Sequence, residues 1–96
     1  MLELRPTCEN CDRPLPPNST EAMICTFECT FCAECVETVL ANVCPNCGGG
    51  FAPRPIRPAT KLGTYPASTT AHHRPVDAST QAALREQLSG VPPELR

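Results

Sequence analysis

From Phe31 onward the apolar residues Val36, Val39, Leu40 and Val43 recur at helical spacing, which predicts an amphipathic helix from Ala33 to about Asn42. Three of those four are β-branched valines, so intrinsic helix propensity is weak and the helix start needs anchorage by Cys32 and Cys35. Upstream, Ala22 to Phe27 reads as a short strand leading into Cys29, one arm of a short β-hairpin. Between Arg13 and Thr20, Pro14, Pro16 and Pro17 with Asn18 and Ser19 forbid both helix and central strand. Beyond Gly50 the pattern dissolves, and Pro53, Pro55, Pro58, Pro66, Pro75, Pro92 and Pro93 crowd a stretch rich in Ser, Thr and Ala.

Residues 52–60 are expected to be extended, with Phe51, Pro53, Pro55 and Ile56 packed on the helix face of Val36, Val39 and Leu40. Arg54 and Arg57 are then expected to project toward the acidic surface of the core. Past Lys61 the apolar supply is too small to offset ordering entropy. Order is expected to end between residues 58 and 66, leaving 59–96 as a proline-rich, mostly disordered tail. A helix at 79–88, STQAALREQL ended by Gly90, is too short to stand alone in water and is expected to be at most partly populated.

The first half supplies little core of its own: apart from cysteine, it offers Met23, Ile24, Phe27, Phe31, Val36, Val39, Leu40, Val43 and Phe51, with no tryptophan. A segment of about fifty residues with that stock barely offsets an ordering cost of roughly 1.5 kcal/mol per residue. The missing stabilisation is written in the cysteines. All eight, Cys8, Cys11, Cys25, Cys29, Cys32, Cys35, Cys44 and Cys47, fall in this half, spaced C-x2-C-x13-C-x3-C-x2-C-x2-C-x8-C-x2-C. A thiolate pair two residues apart bends round one Zn²⁺, and a closed tetrahedral site takes two such pairs, so eight thiolates make two Cys₄ zinc sites. Each structural zinc adds folding free energy on the order of 10 kcal/mol or more, and without metal no stable fold is expected.

Disulfides are the competing use of eight cysteines. The opening MLELRPTC has acidic Glu3 and no room for an apolar signal-peptide core, and no apolar run approaches the roughly 18 residues that span a bilayer. The expectation is therefore a cytoplasmic chain in which paired C-x2-C spacing binds metal. Charge divides the chain in two. Glu3, Glu9, Asp12, Glu21, Glu28, Glu34 and Glu37 face only Arg5 and Arg13 in the first half, whereas Arg54, Arg57, Lys61, Arg74, Arg85 and Arg96 outnumber Asp77, Glu86 and Glu94 in the second. Zinc–thiolate centres add further negative charge, and such a surface repels phosphate backbones. A nucleic-acid role is not expected; the sparse basic strip, with Tyr65 its one aromatic, is a tail lying on its own acidic core.

The full ligand order resembles that of a RING finger, in which the fourth ligand is usually histidine and here is Cys29. That resemblance implies an interleaved cross-brace, with Cys8, Cys11, Cys32 and Cys35 on one zinc and Cys25, Cys29, Cys44 and Cys47 on the other. It covers about residues 8–47, including the helix after the third pair and the Cys44-Pro45-Asn46-Cys47 knuckle. Ubiquitin-ligase RINGs usually carry an apolar residue in the first knuckle, an aromatic on the helix and a basic residue after the last ligand. Here those places hold Glu9 and Asn10, a helix without an aromatic, and Gly48, so ligase activity is not expected. At whole-chain level, MLELRPTCENCDRPLPP, ICTFECTFCAECVETVLANVCPNCGG and RPIRPATKL look like a small bacterial cysteine-rich family called domain of unknown function twelve-seventy-two. The resemblance implies zinc binding and a cytosolic bacterial setting, and no activity.

The expected fold is thus a small metal-stabilised α+β domain over residues 1–58, RING-like, with one short helix, a short hairpin and a disordered tail. A closed Cys₄ site leaves no position for substrate, and no nucleophile–base–acid set is visible, so the chain is expected to be a monomeric non-enzyme that binds a protein partner. His72 and His73 are expected to be solvated tail residues. Two alternatives use the same thiols. Cys29-x2-Cys32-x2-Cys35 with the later Cys44-Pro45 echoes a ferredoxin run, which points to iron–sulfur electron transfer, and free C-x2-C dithiols point to thiol-redox chemistry.

Overall fold

The computed structural model describes residues 1–96. Three short strands form an antiparallel sheet of order β2-β1-β3: β1 is Ala22–Ile24, β2 Thr30–Cys32 and β3 Ala52–Pro53. Met23 lies opposite Phe31 on one side and Pro53 on the other, so the expected hairpin gains a third strand. The chain turns between β1 and β2 through Cys25 to Cys29, with Glu28 at a positive φ of 66°. Directly after β2 comes helix α1, Ala33–Cys35, which continues as a π-helical turn, Val36–Leu40. The Cys32 side chain caps its start, as the weak propensity of the valines requires. Ala41 (φ 49°) and Asn42 (φ 59°) then turn left-handed and end it.

The core is small and half sulfur. Leu4, Leu15, Ala22, Phe31, Val36, Leu40 and Val43 are buried together with six of the eight cysteines. Phe51 packs edge-on against Phe31 with ring centroids 5.5 Å apart. Leu4 and Leu15, from the segments that flank the first cysteine pair, belong to this core although their surroundings carry no periodic signal. Phe27 and Ile56, expected among the packed residues, are largely exposed.

Arg54 does not project toward an acidic surface. It is buried, and its guanidinium donates to the backbone carbonyls of Arg5 (2.9 Å), Leu15 (3.1 Å) and Pro16 (2.9 Å). It thereby ties β3 to the amino-terminal lead and to the proline loop. Arg57 likewise donates to the carbonyls of Leu2 (2.7 Å) and Tyr65 (2.8 Å).

For residues 59–96, expected to be a mostly disordered tail, the structure describes defined elements. A 3₁₀ turn, Ala59–Lys61, leads to an extended strap, whose Ser68 and Arg74 amides donate to the backbone oxygens of Glu3 and Glu9. Helix α2, Ala78–Leu88, follows, capped by Asp77, whose carboxylate accepts from the Thr80 amide and hydroxyl and the Ser79 hydroxyl. These bonds hold the Asp77 carboxyl below its usual range. The helix docks by polar contacts that an apolar tally does not register. Gln81 is 3 % exposed and its amide donates to the carbonyls of Leu40 (3.4 Å) and Val43 (3.1 Å), while Arg85 reaches Val39 O (3.3 Å). These oxygens belong to the end of the π-turn and the residues after it, where helix carbonyls run short of internal donors, although Leu40 O also accepts from the Val43 amide at 3.0 Å. Arg96 closes the same surface on Asn42 O and Gly48 O.

Gln81→Ala removes the one buried side chain of α2 and leaves Val43 O without a donor, while Leu40 O keeps the Val43 amide. It is expected to weaken docking by about 1–3 kcal/mol. Amide exchange across Ala78–Leu88 should then rise about tenfold or more, with the core amides unchanged.

Candidate metal centre

Two of the cysteine pairs sit on turns built the same way. In Cys8-Glu9-Asn10-Cys11-Asp12 the Asp12 amide donates to Cys8 O (2.9 Å) and the Cys8 amide to Arg13 O (2.9 Å). In Cys44-Pro45-Asn46-Cys47-Gly48 the Gly48 amide donates to Cys44 O (2.8 Å) and the Cys44 amide to Gly49 O (2.8 Å). Asp12 (φ 63°) and Gly48 (φ 77°) both take the left-handed conformation that closes the loop. At Gly48 the requirement is double, because an added Cβ would also lie 3.1 Å from the Leu88 side chain of α2.

The third pair, Cys32 and Cys35, spans the step from β2 into α1, and the second, Cys25 and Cys29, brackets the β1–β2 turn. Antiparallel pairing of β1 with β2 separates the second pair from the third, so the thiols converge out of sequence order. The Sγ atoms of Cys8, Cys11, Cys32 and Cys35 all lie within 4.8 Å of one another, and so do those of Cys25, Cys44 and Cys47. Cys29 stands just outside that second circle. Its thiol is buried and accepts from Asn46 Nδ2 at 3.4 Å. The grouping is interleaved, and a sequential grouping of Cys8 and Cys11 with Cys25 and Cys29 does not occur.

All eight cysteines are free. The Cys11 and Cys32 sulfurs are 3.7 Å apart, far beyond the roughly 2.0 Å of a disulfide. A tetrahedron of sulfurs, each about 2.3 Å from a central ion, has edges of about 3.8 Å, so this spacing fits a shared ion. Electrostatics agree with that fit. Burial pushes the Cys8 and Cys35 thiols of the first cluster, and the Cys29 and Cys44 thiols beside the second, up against nearby hydrogen-bond donors, so a cation would favour their thiolate forms. At Cys11, the exposed rim of the first cluster, burial also acts upward. Hydrogen bonds from the Arg13 amide and the neighbouring thiols outweigh it and bring that group down. Further N–H groups point at sulfur: Phe27 N to Cys25 (3.4 Å), Cys35 N to Cys32 (3.5 Å) and Gly49 N to Cys47 (3.4 Å). Arg13 lies beside Cys32 while bridging Glu21 and Glu34.

Several residues around the clusters were not visible as functional in the sequence. Asn10 Nδ2 donates to Cys35 Sγ at 3.3 Å, the counterpart of the Asn46 bond to Cys29. The repeated C-x-N-C of the two knuckles was the available signal. Glu9 is buried, and its carboxylate is held by Arg5 (2.8 Å) and the Thr30 amide. The histidines are not free tail groups: His72 Nε2 meets Glu3 Oε2 at 2.8 Å and His73 Nε2 meets Asn10 O at 3.2 Å. The His72 contact, with Arg5 and Ser68 beside it, holds the Glu3 carboxyl below its usual range against the opposing effect of burial. Between strap, fourth knuckle and α2 lies a polar cleft of about 530 Å³, floored by Phe31 and Glu9 and rimmed by Asn46, His73, Arg74 and Gln81. No helix is long and apolar enough to cross a membrane.

Residues 1–57 match a family described as a protein of unknown function, DUF1272. An uncharacterised protein of Rhizobium meliloti (strain 1021) is 59 % identical over 83 residues, which is 86 % of this chain and 99 % of that protein. An alignment of that length extends past residue 57, so the similarity includes part of the tail. No solved structure matches the chain.

Proposed function

The chain belongs to the DUF1272 family, and from that premise and the thiol geometry we propose that it is a structural zinc module that works by binding another protein. In this reading Cys8, Cys11, Cys32 and Cys35 would hold one ion and Cys25, Cys29, Cys44 and Cys47 the other, with Cys29 as the fourth ligand beside the Cys25, Cys44 and Cys47 group. The observation that carries this reading is the first cluster: four sulfurs from knuckles remote in sequence, mutually within 4.8 Å, with one edge at 3.7 Å. Four protein ligands fill a tetrahedron and leave no position for water or substrate, which supports a structural role over catalysis. The bound ions supply folding free energy and no reaction step.

The faces that ubiquitin-ligase RINGs use are also altered. Glu9 is buried beneath the strap, Asn10 is tied to Cys35 and to Val76, and Gly48 lies under Leu88. We therefore take the chain to be a non-enzymatic interaction module of the cytoplasm.

Elemental analysis of protein purified without added metal is expected to find two zinc ions per chain, with no iron and no absorption near 400 nm, where zinc is silent and iron–sulfur clusters absorb. In Cys11→Ser, which removes an exposed ligand, one of the two ions should become exchangeable and the other stay tight. One zinc in the native chain, or iron, refutes the proposal.

A further inference from the structure

Asn10 is the only side chain that bonds both a cluster thiol and the tail strap. Its Nδ2 donates to Cys35 Sγ at 3.3 Å, and its Oδ1 accepts from the Val76 amide at 2.9 Å. The strap closes around the same residue from two further points, with His73 Nε2 at 3.2 Å from Asn10 O and the Arg74 amide donating to Glu9 O at 2.7 Å. The other knuckle is the natural comparison. Asn46 gives the same bond to Cys29 at 3.4 Å but makes no hydrogen bond to the strap. In these two turns of one design, only the first joins its asparagine to the strap; the second meets the tail through Gly48, which accepts from Arg96.

We propose that Asn10 is a positioning residue that couples the ion of the Cys8, Cys11, Cys32 and Cys35 site to the seating of the strap. The inference rests on the zinc reading and goes beyond it. An amide N–H on a thiolate draws charge from the sulfur and fixes its direction, and such outer partners commonly set metal affinity within a factor of 10–100. A primary amide is planar, so the strap bond to Oδ1 fixes the plane in which Nδ2 meets Cys35. Lifting the strap frees that plane and loosens the first ion. By linkage, loosening the ion weakens the hold on the strap by the same factor. A partner that binds residues 68–77 would therefore act on one metal site and spare the other.

The test uses the full chain loaded with cadmium-113, whose two resonances report the two sites separately and whose decay on adding a chelator gives each release rate. Val76→Pro removes the amide proton and leaves Asn10 and every cysteine in place. Val76→Ala keeps the amide and removes only side-chain packing. Val76→Pro is expected to speed release from the first site at least about fivefold, with the second site unchanged and Val76→Ala close to the native chain. In the reverse direction, Asn10→Ala should deprotect the Arg74 amide to hydrogen exchange while both ions remain bound. Equal rates in Val76→Pro and the native chain, with two ions bound, overturn the coupling alone. Equal acceleration by Val76→Pro and Val76→Ala also overturns it, because the route is then packing. Fewer than two bound ions in the native chain overturn both the coupling and the zinc reading.

Discussion

Removing the metal is expected to unfold residues 1–57 outright. A strong chelator should collapse the amide dispersion of the core and the chirality of its buried aromatic pair, and two equivalents of zinc should restore both. The reason lies in the composition of the interior: six of its thirteen buried apolar residues are cysteines. Without an ion those thiols are small apolar groups with little area to bury, whereas each structural zinc contributes on the order of 10 kcal/mol. Acid should act in the same direction as the chelator. The bound ligand is the thiolate, and the metal-free thiols of Cys8, Cys29, Cys35 and Cys44 lie above their ordinary range because they are buried. Protons therefore compete for the ligands as pH falls, and zinc release and unfolding should share one midpoint. A chelated chain that keeps native dispersion would refute this account of what holds the fold together.

Arg54→Met should be the most damaging single substitution outside the cysteines. Methionine fills much of the same space but leaves the carbonyls of Arg5 and Leu15 without donors and Pro16 O with the Ser19 amide alone. Charge-assisted bonds of this kind set the cost at about 2–4 kcal/mol after allowing for the desolvation of the guanidinium. Burial already holds the Arg54 group below the ordinary arginine range, although it stays charged. Arg54→Lys should recover less than half of the loss, because a single ammonium cannot span oxygens that the guanidinium reaches with two nitrogens. Thermal midpoints at equal zinc concentration measure both variants. A midpoint for Arg54→Met within about 2 °C of native, where about 4–8 °C is expected per kcal/mol, would show that the anchor carries no load.

The metal half of this protein was legible because its determinants are local and periodic. Cysteine spacing specified the clusters, and Phe31, Val36, Leu40 and Val43 marked the buried side of the segment from β2 through the π-helical turn. The helix itself was placed within two residues, its early end set by left-handed Ala41 and Asn42, which propensity does not foretell. The tail was illegible for the opposite reason. Its docking relies on side-chain donors meeting backbone carbonyls: Gln81 on Leu40 and Val43, Arg85 on Val39, Arg96 on Asn42 and Gly48. A glutamine or arginine in a polar helix has the same appearance whether it faces water or caps another helix. Arg54 misled in the same way, since a cation beside an acidic surface suggests an ion pair, and its actual acceptors have no side-chain identity at all. Asn10 and Asn46 lay between the two extremes. Their repetition in two C-x-N-C turns was in plain view, and only the fold shows that each asparagine serves a thiol contributed by a different knuckle.

Interleaving of the two clusters also has a consequence for biosynthesis. The chain leaves the ribosome from its amino terminus, so Cys8, Cys11, Cys25 and Cys29 emerge as a complete set of four thiols before Cys32 and Cys35 exist outside the tunnel. In the proposed two-ion arrangement that set would be divided between two different ions, since Cys8 and Cys11 group with Cys32 and Cys35, and Cys25 with Cys44 and Cys47. A metal captured early would close the wrong tetrahedron, and the proposed native one would then form only by exchange of ligands once the third and fourth pairs arrive. On the zinc reading, timely zinc is therefore late zinc: an ion delivered after Cys47 has emerged would meet both native sites at once, and one delivered sooner would first have to be given up.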